Sequence, residues 1–235
     1  MSKYIPFIIY NNIMHFLEFR KLKLKTHIVK NKQVDGILTE SKFIEIIFTD
    51  DYVMLECEDT EPRKFPPFTH ESAKKLKTIT YFIIVEPNSQ ISNVSNSFDR
   101  MLKNIPHLTS SKRTTNLDII VVTKEPFKTN IEKKIEPMRT NGDESGAGFL
   151  HIHNYRFRTF AMIIPEHKLV PPHRVLSKEE AAQVLKETNT KKRDMPKIHH
   201  DDAMALWSNA QIGDVIEILM PSEATGDEVV YRVCI

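Results

Sequence analysis

Two short runs of β-branched and aromatic residues constrain the fold of this chain more than any other feature of its sequence. Residues 79–85 read ITYFIIV and residues 117–123 read LDIIVVT. Runs of this length and composition predict buried strands. Residues 70–77 and 92–105 have helical patterns, so helices and strands alternate around the two runs. This alternation predicts an α/β layer over about the first 125 residues.

The residues before the first run add a helix and a strand pair to this layer. Residues 12–24 carry apolar side chains at helical spacing and predict an amphipathic helix. Residues 43–48 and 52–58 are strand-like, and the turn-forming Thr49-Asp50-Asp51 between them predicts a hairpin.

A polar stretch separates this layer from the rest of the chain. Between residues 124 and 148 the apolar pattern gives way to Lys, Glu, Asn, Gly and Pro, a composition that cannot bury a core. Residues 126–154 are therefore predicted to be a linker or a surface insertion. The chain has 235 residues, which is enough for two small domains.

Residues 155–235 predict a small mixed domain. A strand-like pattern at 155–164 precedes Ser177-Lys178-Glu179-Glu180, a capping box that begins a helix. Asp202 is placed to cap a second short helix, and residues 214–220 and 228–235 predict a β-hairpin. The predicted fold class is α+β, with an α/β domain at residues 1–125 and a mixed α/β domain at residues 155–235.

The charge differs between the two parts of the chain. The net charge of the whole chain is +2, but residues 1–158 carry +5 and residues 159–235 carry −3. A dedicated nucleic-acid-binding protein has a larger basic excess. Two basic clusters nevertheless suit a surface that faces DNA phosphates, and the alternative is that they are ordinary solvated charges. The clusters are Lys74, Lys75 and Lys77, and Lys112 with Arg113.

The sequence lacks the motifs of several enzyme classes. Cys57 and Cys234 form no CxxC pair, and the six glycines form neither GxGxxG nor GxxxxGK[ST]. This excludes a cysteine zinc site and the common nucleotide-binding loops, and no cofactor is predicted. The apolar run at residues 5–10 is too short for a membrane span or a signal sequence, so we expect an intracellular protein without membrane association.

Four N-terminal carboxylates suggest one enzymatic alternative. Asp50, Asp51, Glu56 and Glu58 lie on the predicted strand pair and could hold a divalent ion in a metal-dependent nuclease. Two positions beyond Glu56 the chain has another glutamate, where a lysine would stabilise the developing charge. Solvated surface is the favoured interpretation.

Two histidine groups are weaker candidates for metal binding. His151 and His153 would share one face of a strand, but no third ligand is apparent. The run His199-His200-Asp201-Asp202 consists of adjacent residues, which rarely converge on one ion. No metal site and no catalytic residue are predicted.

One segment resembles a known family. Residues 167–179 read HKLVPPHRVLSKE, which matches the pattern H-x-L-V-P-x-H-x-x-L-x-x-E of the fifth subunit shared by eukaryotic nuclear RNA polymerases, a family that also has archaeal members. Further matches keep the order and approximate spacing of that family's C-terminal domain. They are Leu185, residues 195–198 (MPKI), Asp202, Ala205, residues 213–218 (GDVIEI), Ser222, Gly226, Tyr231 and Arg232.

The resemblance implies a role in a large assembly. It implies that residues 155–235 form an assembly domain that docks on the largest polymerase subunit and contains no catalytic residue. The layout of residues 1–125 is similar to the jaw domain of the eukaryotic version, which archaeal members lack. The implied partners are the largest subunit, other polymerase subunits and downstream duplex DNA, contacted without sequence specificity by the N-terminal domain.

The residues expected to contact a partner belong to the matching segments. Pro171 and Pro172 fix φ and present LVPPH as a stiff ribbon, and Pro196 does the same for MPKI. The final strand is apolar on both faces, which predicts cover by its own helices and by a partner. The predicted partner-binding residues are His167, Val170, Pro171, His173, Pro196, Lys197, Ile198, Asp202, Gly213, Tyr231 and Arg232. For the two histidines, a structural hydrogen-bonding role is the alternative.

The predicted function is that of a non-catalytic subunit of a DNA-directed RNA polymerase. The alternatives are the nuclease described above and a free-standing regulator that uses the same assembly domain to bind polymerase transiently. Ile, Lys and Asn, which have AT-rich codons, make up 62 of 235 residues, so we expect a divergent polymerase such as one encoded by a large DNA virus of eukaryotes. The expected location is the nucleus, or the cytoplasm or virion for a viral protein.

Overall fold

A computed structural model describes residues 5–29, 32–60, 69, 71–108, 114–143, 146–222 and 226–235. The main division of the chain into two units falls between Met162 and Ile163. Each unit combines helices with a β-sheet, so the predicted α+β class is confirmed.

The first unit is built on a six-stranded sheet with the order β2-β1-β3-β4-β5-β6. The neighbours from β2 to β4 are antiparallel, whereas β4, β5 and β6 are parallel. The strands are β1 (Leu22–Val29), β2 (Lys32–Val34), β3 (Tyr52–Asp59), β4 (Thr78–Val85), β5 (Asn116–Thr123) and β6 (Leu150–Arg156). The helices are α1 (Ile5–Phe19), α2 (Glu40–Asp50), α3 (Glu71–Lys74), α4 (Ser95–Lys103) and α5 (Thr129–Ile135).

The core lies on both faces of β4 and β5. Phe98 of α4 and Ile131 of α5 pack in one cluster with alternate residues of these strands. On the opposite face, Phe16 of α1 meets Phe82 of β4 edge-on, with ring centroids 5.7 Å apart. Every residue of β4 and β5 is buried, so the prediction of two buried strands is confirmed.

A buried amide ties the start of β5 to its neighbours. Asn116 is fully buried, and its Nδ2 donates to the carbonyl oxygens of Ala73 at 2.7 Å and Leu76 at 3.2 Å. Its Oδ1 accepts a hydrogen bond from the backbone N–H of Phe149 at 3.1 Å. One side chain therefore hydrogen-bonds to three backbone groups in two chain segments, residues 73–76 and Phe149.

The predicted hairpin at residues 43–58 is wrong in its first half. Residues 43–48 lie in α2, which buries Phe43, Ile46 and Ile47 on one side. Their spacing of three and four residues is that of one helical face, and this tertiary contact outweighs the β propensity of isoleucine and phenylalanine. The other N-terminal helix, α1, spans Ile5–Phe19 rather than residues 12–24, and β1 follows it.

The prediction of a polar linker at residues 126–154 is wrong, and with it the domain boundary at residue 125. Ile131 and Ile135 of α5 are fully buried, and β6 forms the edge of the sheet beside β5. A few well-spaced apolar residues are enough to bury a short helix against an existing sheet. The predicted strand at 155–164 correspondingly begins earlier, at Leu150, and ends at Arg156.

The second unit has a four-stranded sheet with the order β7-β9-β10-β8. The strands are β7 (His173–Val175), β8 (Lys197–Ile198), β9 (Val215–Ser222) and β10 (Gly226–Cys234), and the helices are α6 (Lys178–Glu187) and α7 (Ala203–Trp207). Ala181 and Val184 of α6 pack with Val215 and Val233. Ala205 of α7 packs in a separate cluster with Ile216, Ile218 and Cys234. Because side chains alternate along a strand, the two helices cover opposite faces of the sheet.

The predicted caps and the predicted hairpin of this unit are confirmed. Ser177 and Glu180 form the reciprocal capping box, in which the Ser177 hydroxyl accepts from the Glu180 N–H and the Glu180 carboxylate accepts from the Ser177 N–H. Asp202 accepts a hydrogen bond from the Met204 N–H at 2.9 Å. Strands β9 and β10 are antiparallel from Ser222–Gly226 to Val215–Val233.

Candidate functional site

The LVPPH segment leads into an edge strand of the second unit. The Pro172 carbonyl accepts a hydrogen bond from the Leu219 N–H at 3.1 Å, and β7 then pairs with β9. His173 Nδ1 lies 2.7 Å from the Pro171 carbonyl oxygen, and His167 Nδ1 accepts from the Leu169 N–H at 3.2 Å. The segment is therefore held by its own hydrogen bonds and by β9, while the Leu169 side chain is 83% exposed.

Arg174 joins three elements beside this segment. Its Nε donates to Glu217 of β9 at 3.0 Å and its Nη1 donates to Glu180 of α6 at 2.6 Å. The hydrogen bond from Arg174, followed by the one from the Ser177 N–H, lowers the pKa of Glu180 to about 2. The guanidinium is exposed, so solvent screens the ion pair and its main effect is to fix geometry. No role was predicted for Arg174 from the sequence, although it stands six residues before the capping glutamate.

The MPKI segment lies at the opposite edge of the same sheet. The Pro196 carbonyl accepts from the Val233 N–H at 2.8 Å, and the Ile198 carbonyl accepts from the Ile235 N–H at 2.9 Å. Pro196 and Lys197 are exposed, whereas Ile198 is buried against α7. Since β9 and β10 lie between β7 and β8, the two segments are separated by about 14 Å.

Five of the predicted partner-binding residues have visible roles within the fold. Ile198 is a core residue, Asp202 caps α7, and Tyr231 packs against the α6 cluster. Gly213 has φ +92°, a left-handed conformation that favours glycine, at the turn into β9. Arg232 donates to the Lys197 carbonyl at 3.2 Å and so links β10 to β8. The more accessible members are His167, Val170, Pro171, His173, Pro196 and Lys197.

The structure exposes an apolar group whose members are not among the predicted partner-binding residues. Leu219 and Val229 are opposite each other in β9 and β10 and are 38% and 45% exposed, and Met220 beside them is 42% exposed. The sequence predicted that a partner covers the final strand, because both of its faces are apolar. None of the three side chains belongs to the apolar clusters beneath α6 and α7, and each keeps a large exposed fraction.

The predicted DNA-facing lysines of the first unit are mostly paired with carboxylates. Lys74 lies 2.5 Å from Glu71, and Lys77 lies 2.9 Å from Glu58. Lys75 is exposed. Lys112 and Arg113 lie outside the described residues.

The four carboxylates of the nuclease alternative do not form one site. Asp50 ends α2 and Asp51 precedes β3, whereas Glu56 is five residues further along the strand, about 16 Å away. Glu56 accepts from Lys25 Nζ at 2.8 Å, and Lys77 lowers the pKa of Glu58. These glutamates are therefore neutralised by lysines.

The histidines likewise lie in separate surroundings. His153 is near Asp118 at 3.7 Å, His151 is 3.1 Å from Asn141, and His200 contacts the Ile235 carbonyl. In the described part of the chain, no three of His, Cys, Asp and Glu are grouped as metal ligands would be. Among the same residues, no helix has both the length and the apolar character to cross a membrane.

Comparison with known proteins identifies the second unit. The profile described as "RNA polymerase Rpb5, C-terminal domain" matches residues 162–234, which is almost all of the unit that begins at Ile163. A protein from Archaeoglobus fulgidus named DNA-directed RNA polymerase subunit Rpo5 is 42% identical over 72 residues, 31% of this chain and 95% of that protein. This chain belongs to the Rpb5 family.

Other archaeal Rpo5 proteins give the same result. The one from Methanocaldococcus jannaschii is 36% identical over 74 residues, 32% of this chain and 95% of that protein. The one from Aeropyrum pernix is 44% identical over 75 residues, 32% of this chain and 83% of that protein. The resemblance found in the LVPPH motif is thereby confirmed, and the viral origin stays a prediction.

Proposed function

We propose that this Rpb5-family chain is a non-catalytic subunit of a DNA-directed RNA polymerase. The match of the second unit to nearly the whole length of proteins named as polymerase subunits carries this proposal. In the proposal, residues 163–235 are the assembly domain and the first unit is the jaw-like domain. Such a subunit works inside the cell, where the template DNA is.

The assembly domain docks on the largest subunit through its stiff, exposed segments. The LVPPH segment is bonded to β9, and Pro196 and Lys197 are held beside β10. Little conformational freedom is lost when such segments are buried by a partner, so more of the contact energy is available for binding. Apolar Val170 lies between His167 and His173 in the sequence, and this combination suits a mixed apolar and polar interface.

Purification of the tagged full chain from its own cells tests this function. We expect the largest polymerase subunit to be recovered in a one-to-one ratio with the chain, together with other polymerase subunits identified by mass spectrometry. A transient regulator would instead be lost or substoichiometric after gel filtration at moderate salt. Recovery of the chain without polymerase subunits would contradict the proposal.

The basic first unit is proposed to lie near downstream DNA. Two observations support this proposal: the net charge of +5 over residues 1–158 and the exposed side chain of Lys75. A contact to a phosphate releases counterions, so each contact steepens the fall of DNA affinity with salt.

Replacing Lys75 with Gln in the assembled polymerase should reduce the salt slope of its binding to downstream duplex by about one. Lys74→Gln is the matched control, because Lys74 already lies beside Glu71 and its loss changes the slope less. Fluorescence anisotropy with a labelled duplex at several salt concentrations measures both slopes. Identical slopes for Lys75→Gln and the unmodified polymerase would count against DNA contact at this residue.

A further inference from the structure

Strand β10 has one long edge without a neighbouring strand. On one side, β9 pairs with it from Gly226 to Val233. On the other side, β8 pairs only with Val233 and Cys234. The stretch of residues 227–231 beyond β8, about 17 Å long, has no strand beside it among the residues that the structure describes.

The direction of the backbone groups along this edge follows from the hydrogen bonds at its end. Cys234 N–H donates to Asp214 on the β9 side, whereas Val233 N–H donates to Pro196 on the β8 side. Because backbone groups alternate in direction along a strand, the N–H and C=O groups of Asp227, Val229 and Tyr231 point outward. Across the described ranges, none of these three N–H groups has a hydrogen-bond partner.

The open stretch of this edge carries charged side chains only at its hairpin end, at Asp227 and Glu228. Natural proteins guard an exposed edge with charged side chains, lysine above all, or with proline, a bulge or a very short strand. Residues 226–234 contain no lysine and no proline, and the register with β9 is continuous. By contrast, β7 has three residues after two prolines, and β8 has two residues after Pro196.

The side chains around the edge are apolar at its centre and acidic at its end. Val229 and Leu219 are exposed neighbours on one face. Asp227 and Glu228 follow toward the hairpin end, are exposed, and have no ion pair in the part of the chain that the structure describes. A strand added here would bury apolar side chains at its centre and meet two carboxylates at one end.

We propose that an extended segment of another polymerase subunit adds to the outer edge of β10 as a fifth strand. The inference rests on the proposed function, since it names the mode of docking. The segment has about five residues, is β-branched or otherwise apolar at its centre, and carries Lys or Arg beside Asp227 and Glu228. A second copy of this chain is a poorer occupant, because residues 159–235 carry −3 and would bring like charges together.

The substitution Val229→Pro tests the backbone bond directly. Proline removes the outward N–H and crowds an incoming strand, but it leaves the β9 hydrogen bonds, which are made by the alternate residues. We expect polymerase subunits to be retained at least about tenfold less well in the tagged-chain purification. Val229→Ala is the matched control: it keeps the N–H, and we expect a loss below about threefold.

A second variant keeps the test decisive if Val229→Pro fails to fold. Val229→Lys keeps the N–H but places a charge at the centre of the edge, and we expect a similar loss of retention. Far-UV circular dichroism checks that each variant is folded.

The proposed function itself fails if the unmodified chain does not retain polymerase. The strand addition fails if the unmodified chain and a folded Val229→Pro or Val229→Lys variant retain polymerase equally, or if the unmodified chain is a dimer that Val229→Pro converts to a monomer.

Discussion

Replacing Asn116 with Asp should destabilise the first unit by at least about 3 kcal/mol at pH 7. The carboxylate has the same shape as the amide, but its oxygen replaces Nδ2 and faces the Ala73 and Leu76 carbonyl oxygens, which both lose the hydrogen bond from the amide. A buried carboxylate without a cation also carries a large desolvation cost. The free energy of unfolding from urea denaturation, followed by far-UV circular dichroism, measures the loss.

The pH dependence of this loss has a definite sign. Burial raises the pKa of the introduced carboxyl above its unfolded value near 4, so the folded variant binds the proton more tightly than the unfolded one. The destabilisation relative to the unmodified chain should therefore be smallest below about pH 4 and should grow as the pH rises through that value. Asn130→Asp is the matched control, since Asn130 is exposed and its change should stay within about 0.5 kcal/mol. A difference below about 1 kcal/mol at pH 7 for Asn116→Asp would contradict the role assigned to the amide.

Replacing Trp207 with Ala should destabilise the second unit by about 3 to 5 kcal/mol. Trp207 is fully buried in α7, and removing it leaves a large cavity beneath a helix of only five residues. A unit of about 70 residues has a total stability of about 4 to 10 kcal/mol, so the variant loses a large part of it. Circular dichroism during urea unfolding measures the change, since the substitution removes the tryptophan signal.

Trp207→Phe is the control for the second unit. It keeps most of the buried volume, and we expect a loss of about 1 to 2 kcal/mol. Equal stability of Trp207→Ala and the unmodified chain would show that α7 does not depend on this side chain. Because the only tryptophan of the sequence lies in the second unit, its fluorescence reports on the unfolding of that unit.

Local patterns predicted the elements whose residues all have the same environment. Strands β4 and β5 are buried on both faces, so every residue in them carries the signal. The capping box of α6 depends on four consecutive residues, which the sequence displays directly. Such elements can be predicted without information about the elements that pack beside them.

The elements that depend on tertiary contacts were missed. In α2, the spacing of Phe43, Ile46 and Ile47 fits a helix, yet their propensities fit a strand, and only packing decides between the two. In α5, Ile131 and Ile135 stand among charged residues and become core residues because a sheet is beside them. The polar composition of residues 124–148 hid this packing.

The arrangement of the candidate docking residues also depends on tertiary contacts. The LVPPH and MPKI segments belong to one family motif in the sequence, but the strand order places them at opposite edges of one sheet. Several motif residues serve the fold instead, such as Asp202 as a cap and Ile198 in the core. Strand order depends on long-range pairing, which a single sequence does not display.

The position of β10 inside its sheet has a consequence for how the second unit forms during synthesis. Strand β10 follows β7, β8 and β9 in the chain, yet it lies between β9 and β8. While β10 is still inside the ribosome, β8 has no strand to pair with and β9 can pair only with β7. The four-stranded sheet is therefore completed only when nearly the whole unit has been synthesised. A partly made chain cannot present the edge of β10 to other subunits.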